Sequence, residues 1–303
     1  VKTDELTARI RELLKQRNAI LLAHNYQPPE IQDLADICGD SLELSIQAAR
    51  TDADAIVFCG VHFMAETAAI LSPDKTVLLP RLDAGCPMAE MIDPDSLRRR
   101  IETLPPMPVV TYVNSSAAVK ALSTICCTSA NALAVVESLD AAAVLMTPDR
   151  NLARYTAAHT QKAVHIWEGC CPFHDRLTPD EVHRAREAHP GAVFMAHPEC
   201  RPEVLALADV ITSTSGMLRT AAGSESSRFI VGTEVGLLHP LKKANPAKEF
   251  FPASERMLCE DMKKIGLEDV LRSLEQLQGR VKVPEEIRRP AFEAVQRMVD
   301  LAP

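Results

Sequence analysis

The sequence is short of aromatic residues and of glycine. Of its 303 residues, one is Trp, three are Tyr and eight are Phe, and only 11 are Gly. With 4% aromatics against 47% apolar residues overall, a core has to be built mostly from Ala, Leu, Val and Ile. Scarce glycine leaves few loops whose backbone could wrap a phosphate. There is no G-x-G-x-x-G behind a strand, no P-loop and no G-x-S-x-G nucleophile turn. The chain has no long basic run and a formal net charge of −8, which argues against nucleic acid and anionic membrane as partners. Its apolar runs fall far short of a membrane span, and the opening VKTDELTARI lacks the apolar core of a signal peptide. The first residue is Val, so an initiator Met or a few residues are expected to be missing. A reducing, cytoplasmic location is expected.

Cysteine, by contrast, is plentiful. There are nine: Cys38, Cys59, Cys86, Cys126, Cys127, Cys170, Cys171, Cys200 and Cys259. An odd count in a large chain with no secretion signal points to metal binding or catalysis rather than to disulfides. Some are expected to be apolar filler, and the surroundings of Cys38, Cys59 and Cys126 suit that role.

Short apolar runs alternate with helical periodicity, which predicts a mainly parallel α/β sheet. TDELTARIRELLKQRN reads as an amphipathic helix capped by Thr3, AILLAHN as a strand, PEIQDLADI and LELSIQAAR as helices, and ADAIVFCGV as a second strand. The pattern then repeats. AILLAHNYQPPEIQDLADICGDSLELS aligns without gaps on PVVTYVNSSAAVKALSTICCTSANALA and on AVFMAHPECRPEVLALADVITSTSGML. In each copy an apolar run ends in a polar or ring-bearing triad: His24-Asn25-Tyr26, Tyr112-Val113-Asn114, His197-Pro198-Glu199. A hydroxyl residue follows 17 positions after the first member of the triad (Ser41 after His24, Ser129 after Tyr112) or after its counterpart His197 (Thr214). A further apolar strand and then a cysteine come next. Cys171 follows Cys86 by 85 residues, and Cys259 follows Cys171 by 88. The expectation is three similar three-layer αβα units with pseudo-threefold symmetry around a central site. Their bounds are 1–85, 86–171 and 172–259, with a helical extension, 260–303, packing on the first.

Ligands of open α/β sheets gather at the C-terminal strand ends, where the triads fall. Ser41, Ser129 and Thr214 read as N-caps or first-turn residues of helices whose free N–H groups would suit carboxylate or phosphate. Three thiols brought to one axis would make a metal site. Zinc with His174 as fourth ligand and an iron–sulfur cluster with one open iron both remain open on spacing, since no C-x-x-C is present.

The motifs AHNYQPPEIQDLADICGDSLELS, GVHFMAETAAIL, AGCPMA, TYVNSSAAVKA, CCTSANA, PDRNLA, GCCPFH, AHPEC, STSGM and GTEVGLLHPL together resemble the quinolinate synthase family over nearly the whole chain. The resemblance implies a three-domain fold around a [4Fe–4S] cluster held by three cysteines only, Cys86, Cys171 and Cys259. It implies an enzyme of transferase or lyase type in de novo NAD biosynthesis. That enzyme condenses iminoaspartate, supplied by an L-aspartate oxidase or aspartate dehydrogenase, with dihydroxyacetone phosphate, releasing phosphate and two waters. The family's substrate-binding positions fall on His24, Ser41, Tyr112, Asn114, Ser129, His197, Glu199 and Thr214, and further active-site positions on Tyr26 and His174. Acid–base roles are expected for Glu199 and Tyr112, anion binding for His24, His197 and Ser129, and places near the open iron for Tyr26 and His174. In the Gly-x-Cys-x-x-His frame, Gly169 and His174 mark Cys171 as the ligand and Cys170 as dispensable.

The chain departs from the family where Glu168 precedes Gly169 and Pro172-Phe173 precede His174. It departs again at Cys259-Glu260-Asp261, where a Cys-Pro-Asn form is common. No cysteine follows Cys259, so a C-terminal thiol–disulfide control is not available. A zinc enzyme using the same thiolates, or a non-catalytic iron–sulfur redox module, are the alternatives.

Overall fold

The structure is a computed structural model and describes residues 2–301; the first residue of the first unit and the last two of the extension lie outside the described residues. One plan is used three times. The first unit runs through α1 (Lys2–Gln16), β1 (Ala19–His24), α2 (Pro29–Leu34), β2 (Ile37–Gly39), α3 (Ser41–Arg50), β3 (Ala55–Cys59), α4 (His62–Leu71) and β4 (Thr76–Leu78). The second runs through α5 (Pro94–Glu102), β5 (Val109–Tyr112), α6 (Ala117–Lys120), β6 (Ile125–Cys127), α7 (Ala132–Ser138), β7 (Ala143–Thr147), α8 (Arg150–Ala157) and β8 (Ala163–Ile166). The short α9 (Pro172–Asp175) leads into the third: α10 (Pro179–Ala188), β9 (Val193–Ala196), α11 (Pro202–Leu205), β10 (Val210–Ile211), α12 (Thr214–Gly223), β11 (Arg228–Gly232), α13 (Leu238–Ala244) and β12 (Glu249–Pro252). Helices α14 (Leu267–Gln276) and α15 (Glu285–Asp300) follow.

Each unit holds one four-stranded parallel sheet, in the orders β2-β1-β3-β4, β6-β5-β7-β8 and β10-β9-β11-β12. The three α/β units are thus alike in topology. The inner strands are nearly continuous apolar runs because helices cover both faces: all five residues of β3, and all but the first of β7 and β11, are buried. Local chemistry starts the helices where they stand. Asp40 caps α3 in a capping box with Glu43, Asp93 and Ser96 do the same for α5, and Thr178 and Glu181 for α10. Pro94 and Pro179 occupy first-turn positions, where the missing N–H costs nothing. Thr3 does not cap α1, which already includes Lys2.

Helix α14 packs against α1 of the first unit. The chain then adds backbone bonds beside β4, from Val281 N–H to the Val77 carbonyl and from Leu79 N–H to the Gly279 carbonyl. Helix α15 next lies against α4 of the first unit and against α6 and β6 of the second, burying Ala291, Ala294, Val295, Met298 and Val299. The extension therefore spans two units rather than serving the first alone.

Candidate functional site

The first strand of every sheet delivers its triad to one cavity. Strand β1 ends on His24, β5 ends on Tyr112, and His197 follows β9 directly. All thirteen residues singled out in the sequence line that cavity: His24, Tyr26, Ser41, Cys86, Tyr112, Asn114, Ser129, Cys171, His174, His197, Glu199, Thr214 and Cys259.

The local backbone sets the histidine tautomers. Nδ1 of His24 accepts the Tyr26 N–H at 3.2 Å, and Nδ1 of His197 accepts the Glu199 N–H at 3.4 Å, two residues on in both cases. The proton of each neutral ring then sits on Nε2. His197 donates it to the Ser129 hydroxyl at 3.1 Å. Burial pushes both imidazoles down to about 3, helped for His24 by neighbouring His197 and Lys263 and for His197 by His174. Both rings are therefore uncharged in the free site.

Glu199 is the hub. Its Oε2 lies 2.6 Å from His174 Nδ1 and 3.7 Å from His197 Nδ1, and Tyr112 hydrogen-bonds it as well. Burial alone would raise this carboxyl, but His174, close by and hydrogen-bonded to it, and the Tyr112 hydroxyl hold it below the usual carboxylate range. With Nδ1–H of His174 donated to Glu199, its Nε2 accepts from the Thr233 hydroxyl at 2.8 Å. Thr233 in turn accepts from the Tyr26 hydroxyl at 2.5 Å. One chain of hydrogen bonds thus runs Tyr26, Thr233, His174, Glu199, Tyr112. Burial and the Glu199 charge push both tyrosines well above their ordinary value, so they stand as proton donors.

The helix starts differ from expectation in one case. Ser41 and Thr214 are first-turn residues, behind the caps Asp40 and Ser213. Ser129 is neither cap nor first turn. Helix α7 starts at Ala132 behind Asn131, and Ser129 sits in a turn closed by Thr128 N–H on Asn131 Oδ1 at 2.7 Å. That Asn side chain, and not Ser129, satisfies the turn's backbone. Thr214 reaches across units, accepting from Asn25 Nδ2 at 3.1 Å. Asn114 Oδ1 is buried and has no hydrogen-bond partner among the described residues.

Cys86, Cys171 and Cys259 are half-buried and come from three separate loops. Burial pushes their thiols up, to about 12 for Cys86, to about 11 for Cys259 and further for Cys171. Three thiolates are stable here only beside strong positive charge, and a bound metal group would supply it. The donor set fits such a group. Among the described residues, donor atoms of Cys171, His174 and Glu199 also lie within 4.8 Å of one another. Cys59 and Cys126 are buried filler as expected, whereas Cys38 sits exposed on the edge strand β2, its thiol facing amide oxygens of Asn25 and Gln32.

Sequence reading missed the bridging Thr233 and, in the cavity wall, Glu234 and the apolar side chains of Val61, Phe63, Met64, Met88 and Met262. Thr233 and Glu234 follow the third strand of their sheet, so the repeat offered a place for them. Their counterparts are Gly60-Val61 and Pro148-Asp149; Asp149 shares its carboxyl with Glu234, but Val61 breaks the pattern and no hydroxyl recurs where Thr233 stands.

A family model described as quinolinate synthetase A protein matches residues 8–300. The chain is 58% identical over 296 residues to the quinolinate synthase of Geotalea uraniireducens, covering 98% of this chain and 97% of that one. It is 55% identical to the quinolinate synthase of Thermodesulfovibrio yellowstonii, with 96% and 97% covered. It is also 55% identical to quinolinate synthase 1 of Methanosarcina acetivorans, with 97% of each chain covered.

Proposed function

Because the chain belongs to the quinolinate synthetase A family, we propose that its central cavity condenses iminoaspartate with dihydroxyacetone phosphate to quinolinate, releasing phosphate and two waters, in de novo NAD biosynthesis. The observation that carries this reading is the gathering of acid–base, anion-binding and thiol groups from three units in one buried cavity. Cys86, Cys171 and Cys259 would hold a [4Fe–4S] cluster. When bound, it would supply positive charge and a Lewis-acidic iron to polarise a substrate oxygen.

The remaining steps belong to the chain's own groups. Nε2–H of His24 and the Ser129 hydroxyl meet the anionic ends of the substrates, assisted by Ser41 and Thr214 at the starts of α3 and α12. Asn114 Oδ1 accepts a hydrogen bond from substrate. Glu199, held anionic, takes the proton lost beside the imine or carbonyl during condensation. Tyr112 returns a proton to a departing hydroxyl. The Tyr26–Thr233–His174 chain feeds Glu199 from the opposite side of the cavity. Both ring nitrogens of His174 are already engaged, which favours a cluster over a zinc ion using His174 as fourth ligand.

The units are proposed to divide at 1–85, 86–171 and 172–259. An L-aspartate oxidase or aspartate dehydrogenase is proposed to supply iminoaspartate, in the cytoplasm. Among the described residues no helix is long and apolar enough to cross a membrane.

Two measurements test the reading. Anaerobically purified protein should carry about four irons per chain and a brown chromophore; one zinc and no colour would overturn the cluster. Quinolinate should form from the two substrates, and Glu199→Gln should lower kcat by roughly 10²–10⁴-fold. Unchanged turnover in that variant would remove Glu199 from its role.

A further inference from the structure

The three cysteine loops are built alike but anchored unequally. In every unit, the residue after the third strand's helix cap gives its N–H to the carbonyl two positions before the cysteine. His62 bonds Ala84 at 2.8 Å, Arg150 bonds Gly169 at 2.7 Å and Val235 bonds Met257 at 2.9 Å. The cap itself is Val61, Asp149 or Glu234. Asp149 uses Oδ1 to cap α8 through Leu152 N–H at 2.7 Å, and Oδ2 to accept the N–H of Cys171 at 2.9 Å. Glu234 uses Oε2 to take Gly236 N–H at 2.7 Å, and Oε1 to accept the N–H of Cys259 at 3.1 Å. Both side chains are buried. Val61 has no oxygen to offer. The Cys86 loop is tied elsewhere, by Gly85 N–H to Asp261 Oδ1 at 3.1 Å, and Asp261 stands two residues beyond Cys259, paired with Lys264 at 2.7 Å.

We propose that Asp149 and Glu234 are positioning residues, each fixing one metal-ligand cysteine by its backbone N–H, and that Cys86, lacking such an acceptor, is the ligand released first. The proposal rests on the reading of the three cysteines as ligands. A residue behind a ligand sets its direction and lifetime on the metal, and each of these carboxyl groups accepts a backbone N–H of a cysteine within hydrogen-bond distance. Each carboxylate joins a helix start to a cysteine loop, so its removal frees that loop and no other. The Cys86 loop keeps the His62–Ala84 bond of the common plan and, in place of a carboxyl acceptor for its cysteine N–H, leans on Asp261 through Gly85.

The test is alkylation of the iron-loaded protein with iodoacetamide under anaerobic conditions, followed by peptide mass mapping of each cysteine. In the unsubstituted chain, Cys86 should react fastest of the three ligands. Asp149→Ala should speed Cys171 by about tenfold and leave Cys259 unchanged, and Glu234→Ala should do the reverse, the effect of losing one hydrogen bond. Asp149→Asn and Glu234→Gln keep the volume but set an amide NH₂ against one peptide N–H. They should show the same selectivity in weaker form, and they serve where an alanine variant does not fold. Rates that rise together at all three cysteines, or at none, or a Cys86 that reacts slowest, would overturn the proposal while leaving the centre in place. An unsubstituted chain that binds no iron would instead sink the reading of the centre, and the anchoring role with it.

Discussion

At the scale of single residues, adjacent cysteines have separate fates. Cys171 faces the cavity, with His174 Nδ1 3.2 Å from its sulfur. Cys170 does not line the cavity, and its N–H points to Met91 Sδ. Cys170→Ala should keep the iron content of the unsubstituted protein and Cys171→Ala should lose it; metal analysis of both variants decides, and the opposite result would mean that the frame is misregistered. His24 allows a second expectation. Its free-site value is about 3, and a bound carboxylate or phosphate must raise it. A group whose value rises on binding takes up protons, and the affinity it supports falls as pH climbs through the bound-state value. Titration calorimetry of a dicarboxylate in buffers of different ionisation enthalpy should therefore show proton uptake that grows as pH falls below neutrality, reduced in His24→Gln. Which polar residues share the cavity was legible from their spacing, because three equal intervals are hard to produce without three equal folds. Thr233 was not, because a bridging hydroxyl leaves no periodic trace, and neither was the apolar wall, whose Val and Met residues look like any core.

Among elements, legibility followed burial. Strands β3, β7 and β11 announce themselves as apolar runs because both faces are covered. The edge strands β2, β6 and β10 have two or three residues, too few for any period, and they are held by pairing rather than by pattern. Helix starts were placed to within a residue or two, except at Ser129, where the Asn131 side chain competed for the backbone. Helix α12 shows how closely such a start is fitted. A methyl group on Gly216 would lie 1.8 Å from the Thr212 hydroxyl, in the same first turn as Thr214. Gly216→Ala should lower stability by about 1–3 kcal/mol and weaken substrate binding through displacement of Thr214. Thermal melts and KM measured together would reveal both effects, and a change in melting temperature alone would mean that Thr214 has not moved.

The whole molecule is held by seams of two kinds. The first and second units share an apolar seam, filled by α15. Ending the chain after Gln278 should expose that groove and cost on the order of 5 kcal/mol, at roughly 1.5–3 kcal/mol for each large apolar side chain uncovered. Denaturant melts would show it as an early loss of cooperativity, and an unaltered single transition would mean that the first two units hold together without the helix. The first and third units share part of the same apolar core and meet through polar contacts besides. Asn25 bonds Thr214, Ser213 bonds Asp40 at 3.3 Å, Ser215 bonds Glu43 at 2.6 Å, and His239 and Lys243 share Asp33. Water can substitute for every one of those partners, but not for a methyl group in the α15 groove. Compliance should therefore be greatest along that polar stretch, which carries Ser41 on one side and Thr214 on the other, and opening there is the expected route for traffic between cavity and solvent.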